Sequence, residues 1–372
     1  MRRPRALPWL LSLFAVLCLQ AAACGDSSAP APTATPPAPV PVTPAPTPPI
    51  NRSRPLMSTI FRIQVNDTPE TQADPAIRAA FDEIARLEGV LSEWQPGSEV
   101  SRLNQGAGGP PIHVGEDTYA VIHAGLEVSR ASEGAFDLSW AALRGLYDFH
   151  PGEQVVPSRR EIRARLGLID YRDIELDEEA HTVRLKRRGM TIGTGGIAKG
   201  YALDRAGAIL RQAGIQSYVL FGGGQVQVHG LHGDRPWRVG IQHPRQEGDY
   251  FAFLEVVDRS ISTSGDYEHF FFDAEGQRWH HILDPRTGLP ARRSISTTLI
   301  APSGLYADAL STAAFVLGPE RAVAMLQRLP LHAEAVMLDA HCHIVTTGDL
   351  DARLHLRPNV HDGVVDACDG VP

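Results

Sequence analysis

The amino-acid sequence predicts a mixed α+β fold with largely antiparallel sheets and packed helices. Strand-like alternation recurs in segments that lie close together in the chain, "SYVLFGG" (217–223), "WRVGIQH" (237–243), "YFAFLEVV" (250–257) and "STTLIAP" (296–302). Such neighbours pair most simply as antiparallel strands. Helical periodicity falls in separate stretches at 116–133, 198–213, 305–317 and 319–328. Strands and helices do not alternate as a doubly wound sheet requires, and no internal repeat is present.

The elements follow from the N-terminus. Arg2, Arg3 and Arg5 precede the apolar run "LPWLLSLFAVLCL" and the small residues of "QAAACGDSS". That run is short for a membrane span, so residues 1–23 read as an export signal. "AAAC", ending at Cys24, resembles the lipobox of bacterial lipoproteins and implies cleavage before Cys24 and acylation of its thiol. Ordinary cleavage that leaves an unmodified cysteine is the alternative. Asp26 resembles an inner-membrane retention signal. Residues 24–56 are rich in proline, alanine and threonine and cannot bury a core. They read as an extended tether with a reach on the order of 90 Å. From there "MSTIFRIQV" (57–65) alternates as a strand. "DPAIRAAFDEIARLEGVLSEW" (74–94) reads as a helix, with Asp74 as N-cap, Pro75 in the first turn, and Ile77, Phe81, Ile84, Leu87 and Leu91 on one face. The globular part is expected over 57–360, with a C-terminal tail at 361–372.

Net charge is −8, and no basic block occurs outside the signal, which argues against nucleic-acid binding. Beyond the signal and Cys24, the cysteines are Cys342 and Cys368, which could pair in an oxidising compartment or stand as two thiols. No CxxC or HExxH spacing supports zinc.

Chemistry concentrates at "MTIGTGGIAKGYALD" (190–204), which follows "HTVRLKRRGMTI" (181–192), a stretch that alternates like a strand. Glycine-rich strand-to-helix turns expose backbone N–H groups to anions. It is not a P-loop, because Lys199 lies between Ala198 and Gly200. Gly193, Gly195 and Ala198 satisfy G-x-G-x-x-A, but the next strand lacks the ribose-binding carboxylate of a dinucleotide fold. A turn that merely packs helix on strand is the remaining simple reading.

Further segments change the balance. In order come "SEWQPGSEVSRLN" (92–104), "SEGAFDLS" (132–139), "GGIAKGYALD", "ISTSGDYEHFF" (261–271), "HILDPRTGLP" (281–290) and "ADALSTAAFVLG" (307–318). Together they resemble the FAD:protein FMN transferases, the ApbE-like periplasmic lipoproteins, from about Met57 to about Leu329. The resemblance implies the ApbE-like flavin transferase fold and magnesium-dependent transfer of FMN from FAD to a threonine or serine hydroxyl of a target protein, with release of AMP. The partners it implies are FAD, a target protein of a membrane or periplasmic redox system, and the membrane through a lipid anchor.

Asp308 and Thr312, four apart on a helix, share one face and offer two hard oxygen ligands for Mg²⁺. Alone such a pair is as readily helix surface or capping. The resemblance adds the Gly196 carbonyl and Ser311 as a neighbour. His281 could accept the proton of an incoming hydroxyl, anchor flavin, or brace the Asp284–Gly288 turn. His280 is expected to point the other way. For the flavin the resemblance carries over onto Met57, Trp94, Ala135, Phe136, Asp137, Lys199 and Ile282. Trp94, where relatives usually have tyrosine, and Phe136 could instead pack in the core, and Lys199 could be solvated or face pyrophosphate. Two departures stand out. Gly193 replaces an aspartate of the FAD site, and Gln225 stands where Asn or Asp is common. Two rival readings follow: an FAD pyrophosphatase that uses water, and a lipid-anchored flavin-binding protein without chemistry.

Overall fold

The computed structural model describes residues 48–368 apart from 151, 153 and 351. The expected signal segment, Cys24 and the expected tether through residue 47 therefore lie outside the described residues, as do residues 369–372.

The centre is an eight-stranded sheet, antiparallel at every pairing. Its order is Ile50–Leu56, Thr59–Val65, Tyr218–Gly222, Gln225–His229, Arg259–Gly265, Ser294–Ala301, Glu334–Asp339 and Ile344–Thr347. Side chains alternate between its faces. Tyr218 and Leu220 join the core beneath the helices, while Val219 enters a second core on the other face. Ala335 and Met337 divide from Val336 and Leu338 in the same way. The second core is closed by a three-stranded sheet of Trp237–Gln242, Tyr250–Val256 and Leu354–Leu356. Ser294–Ala301, sandwiched between both layers, is buried along its whole length.

Seven helices are described: α1 (Glu70–Leu91), α2 (Glu99–Gln105), α3 (Glu116–Ala131), α4 (Arg159–Leu166), α5 (Ala198–Gln212), α6 (Gly304–Leu317) and α7 (Pro319–Arg328). Helix α6 is the innermost, touching α3, α5, α7 and the sheet. A helix apolar on nearly all sides has to be enclosed in this way.

Four sequence boundaries are corrected. The tether does not extend to residue 56, because Ile50–Leu56 pairs with Thr59–Val65. Pro55 is tolerated since this is the sheet edge. Arg52 and Arg54, on the helix-facing side of this strand, meet α1 through Glu70 at 2.6 Å, Asp74 at 2.9 Å and Asp82 at 2.8 Å. Helix α1 begins at Glu70, a turn before the expected Asp74 cap, and continues through Pro75. The C-terminal tail is not separate either. Val360–His361 and Val364–Val365 form a hairpin, and Cys342 bonds buried Cys368, tying the chain end to the second core. The alternating stretch 181–192 is strand only over Thr182–Leu185; Gly189, at φ +83°, then turns the chain toward the glycine loop.

Candidate active site

Two glycines and two aspartates join α5 to α6. A Cβ on Gly200 would lie 2.0 Å from the Gly304 carbonyl oxygen, so the helices cross in backbone contact. One turn along α5, Asp204 caps α6: its carboxylate accepts from Gly304 N at 2.7 Å, Leu305 N at 2.9 Å and the Ser303 hydroxyl at 2.7 Å. These donors are the groups a helix start leaves unpaired. The crossing delivers Gly200 N to Asp308 Oδ2 at 3.0 Å, and Gln225 Nε2 donates to Oδ1 at 2.9 Å. Gln225 and Gln227 share the helix-facing side of their strand, and Gln227 donates to Asp204 at 2.7 Å. Burial pushes the Asp308 carboxyl above its usual range, opposed mainly by Lys199.

Thr312 follows on the same face of α6. Ser262 and Ser264, two apart on their strand, each place a hydroxyl 2.9 Å from Ser311 Oγ, which also donates to the Asp308 carbonyl at 2.8 Å. One hydrogen and two lone pairs are thereby used, so Ser311 braces the turn and offers no free lone pair to a cation. Thr312 Oγ1 keeps one long contact, 3.4 Å to Ser264.

The glycine loop lies against this face. A Cβ on Gly196 would sit at an ordinary 3.6 Å from Thr312 Oγ1 and a tight 3.3 Å from the Phe136 ring, so this backbone lies beside both. Asn104 pins the loop entrance, accepting from Ile192 N at 2.7 Å and donating to Ile192 O at 3.0 Å. Gly193 N donates to Leu138 O at 2.8 Å, Thr194 N to Glu93 at 2.5 Å, and Thr194 Oγ1 to Leu91 O at 2.8 Å. Lys199 opens α5, and its ammonium caps the Gly195 carbonyl at 2.6 Å. It is close enough to Asp308, Glu93 and His281 to influence all three ionisations.

Residues expected at the flavin fall into two groups. Met57 is at the tip of the first hairpin, where Met57 (φ +48°) and Ser58 (φ +60°) make a two-residue turn. Two residues on, Thr59 lines a tight spot with Gly223 and the Lys199 stem. Trp94 is 70% exposed, with the Arg144 guanidinium 4.5 Å from its ring, so the core-packing alternative fails for this indole. Ala135, Phe136, Asp137 and Ile282 are instead buried. Asp137 caps the short helix Leu138–Leu143: Oδ1 accepts from Ser139 N at 2.8 Å and Ser139 Oγ at 2.6 Å, and Oδ2 from Tyr171 N at 2.8 Å. Its carboxylate holds the loop segment in place. The Gly193 N–H is also bonded within the protein, and the ends of the Glu93 and Arg144 side chains occupy the space a Cβ there would need.

His281 and His280 point in opposite directions, as expected for a strand. His280 Nε2 contacts the Ala291 carbonyl at 2.7 Å in the core, and burial pushes its pKa down to about 4. His281 is half-buried, with Nδ1 3.4 Å from the His269 carbonyl, which favours hydrogen on Nδ1 and a free Nε2. Desolvation, then His269 and His280, push its pKa down to about 3, so the imidazole is neutral at neutral pH.

Among the described residues no group of three or more His, Cys, Asp and Glu side chains gathers as a metal cage. Mg²⁺ needs no such cage, because it keeps waters and shares substrate phosphates. One buried carboxylate whose charge burial disfavours, a hydroxyl and an adjacent backbone loop form a hard-oxygen donor set that fits it.

Four participants were not singled out from the sequence: Glu93 and Asn104 lie in the quoted 92–104 segment and Asp204 ends "GGIAKGYALD", but no pattern marked their roles, and Arg144 lies outside every quoted motif. Gln225 was visible as a departure, but its bond to Asp308 was not.

A family model described as the ApbE family matches residues 57–337. The chain is 33% identical over 297 residues to the FAD:protein FMN transferase of Treponema pallidum, covering 75% of this chain and 82% of the relative. It is 34% identical over 250 residues to one from Klebsiella pneumoniae, covering 67% and 77%. Among solved structures, the ApbE protein of Thermotoga maritima aligns with a TM-score of 0.73 and 31% identity over 80% of this chain and 97% of that one. The apo flavinyl transferase ApbE of Pseudomonas stutzeri aligns at 0.69 and 28%, over 82% and 96%. The mixed α+β architecture is thus that of solved ApbE proteins, and the chain belongs to the ApbE family.

Proposed function

We propose that the protein transfers FMN from FAD to a threonine or serine hydroxyl of a target protein, releasing AMP. The observation that carries this reading is the convergence of Asp308, Thr312 and the Gly196 backbone beside Lys199 and His281, at a site bordered by an exposed Trp94. Curated relatives about one-third identical are named FAD:protein FMN transferases, which supports the transfer of FMN from FAD to a protein.

In the step, the target hydroxyl oxygen bonds to the FMN phosphorus of FAD and the phosphorus–oxygen bond to AMP breaks. The hydroxyl proton goes to Nε2 of His281. In the free protein that imidazole is a weak base, and nearby negative phosphates raise its affinity for a proton. Lys199 faces the anionic diphosphate, and the Trp94 ring offers a flat surface for isoalloxazine or adenine stacking. Asp308 and Thr312, with the carbonyl of Gly196, would hold Mg²⁺. When bound, the ion supplies Lewis-acid stabilisation of phosphate charge.

The same reading puts the protein in the bacterial envelope, acylated at Cys24 and tethered to the membrane, facing the periplasm and the target redox system. The signal-like N-terminus supports this, as does the Cys342–Cys368 bridge, a bond kept in oxidising compartments.

A three-way product assay tests the proposal. The purified protein is incubated with FAD, Mg²⁺ and a flavin-acceptor protein, and AMP, free FMN and protein-bound flavin are followed. AMP with labelled acceptor is expected. AMP with free FMN and unlabelled acceptor would mean hydrolysis, and FAD retained unchanged would mean binding without chemistry.

A further inference from the structure

On the reading that FAD binds beside the glycine loop, we propose that Glu93 is the carboxylate that sets the flavin side of this site. It stands in for one at position 193 and positions both the loop and the Trp94 indole.

The space at position 193 is already occupied. A Cβ built on Gly193 would lie 2.8 Å from Arg144 Nη2, 2.9 Å from Glu93 Oε2 and 3.1 Å from the Ala141 methyl. No side chain fits there while Glu93 and Arg144 keep their places. The carboxylate expected from residue 193 is present in the structure, but it arrives from the turn after α1.

Glu93 has three partners. Its side chain is 7% exposed, and Oε2 accepts from Thr194 N at 2.5 Å, with the Gly195 N–H also directed at the carboxylate. Oε1 lies 2.6 Å from Arg144 Nη2. Arg144 in turn stacks 4.5 Å from the centre of the Trp94 ring and 5.8 Å from that of Trp140; its buried Nε and Nη2 make no hydrogen bond, so Nη2 meets Glu93 as an ion-pair contact only. An ion pair this buried adds little net stability, because desolvation offsets the attraction. What it fixes is geometry: one carboxylate holds the backbone leading into Gly196 and, through Arg144, the aromatic surface on the opposite side. Gly193 is therefore the counterpart of Glu93, since the glycine leaves the room the longer acid needs.

Glu93 is a positioning residue, so the test separates KM from kcat and includes a rescue. Glu93→Gln, which keeps the shape and an acceptor oxygen, is expected to raise the KM for FAD about tenfold with little change in kcat, and to lower the melting temperature because Arg144 is left without its counter-charge. Gly193→Asp alone is expected to weaken FAD binding more, because a second carboxylate meets the first. Glu93→Ala/Gly193→Asp is expected to recover FAD affinity to within about threefold of the wild type. Direct titration of each protein with FAD by flavin fluorescence gives the readout. If the wild type binds FAD while Glu93→Gln binds it equally well, or the double variant is no better than Gly193→Asp, the role of Glu93 is overturned and the FAD reading stands. If the wild type itself binds no FAD, the FAD reading falls, and this inference with it.

Discussion

The two sides of the glycine loop are held by different means. On one side Asp308 and Thr312 sit on α6, the most enclosed helix, fixed by a backbone-to-backbone crossing and an aspartate cap. On the other side Trp94 stands in solvent, backed by a single buried ion pair. The first side is part of the core, so a change there propagates into the fold. The second is a local arrangement that can be altered while the core stays intact. On the proposed reading, the rigid side would meet the diphosphate of FAD and the open side one of its flat ring systems.

The largest effect is expected where the first side is welded. Gly200→Val forces side-chain atoms into the Gly304 carbonyl and Asp308, so the crossing cannot close. We expect a loss of about 3 kcal/mol or more in denaturant unfolding, together with loss of activity. Near-normal stability would break the claim that this side is core.

Asp308→Asn separates stability from function on the same side. Burial raises the Asp308 pKa, so the folded state disfavours the ionised form. Stability from this group is present below its unfolded pKa and is lost as pH rises through the folded value. Asparagine carries no such dependence, so the metal-free variant should be at least as stable as the wild type at neutral pH, with the margin shrinking as pH falls. Turnover should nonetheless drop by about a thousandfold, the scale of lost metal assistance. Melting curves across pH and AMP release measure the two.

His281→Gln is expected to lower turnover by about a hundredfold while FAD binding stays within about twofold, as for loss of a proton acceptor. A larger effect on binding than on turnover would make it an anchor. The smallest change belongs to the open side. Trp94→Ala should weaken FAD binding by about five- to tenfold, and Trp94→Tyr by less than about twofold, with unfolding unaffected.

The same contrast governs how much the sequence disclosed. Asp308 and Thr312 were legible because four residues on one helix fix their relation, and His280 and His281 because strand neighbours diverge. The antiparallel sheet was legible from closely spaced alternating segments. Glu93, Arg144 and Gly193 were not legible as a unit, since they lie at the end of α1, after a short helix and in a loop. Their meeting depends on backbone paths no local pattern encodes. Pro55 and Pro75 misled for a related reason. Proline is read as a breaker, yet a sheet edge and a long, well-packed helix accommodate it.

The most direct measurement is the ratio of AMP released to flavin covalently joined to a serine or threonine of an acceptor protein. It is followed by mass spectrometry for the wild type and Asp308→Asn with FAD and Mg²⁺. One AMP per flavin attached is expected with the wild type, and neither product above background with the variant. AMP formed without attached flavin, or an Asp308→Asn variant as active as the wild type, would contradict it.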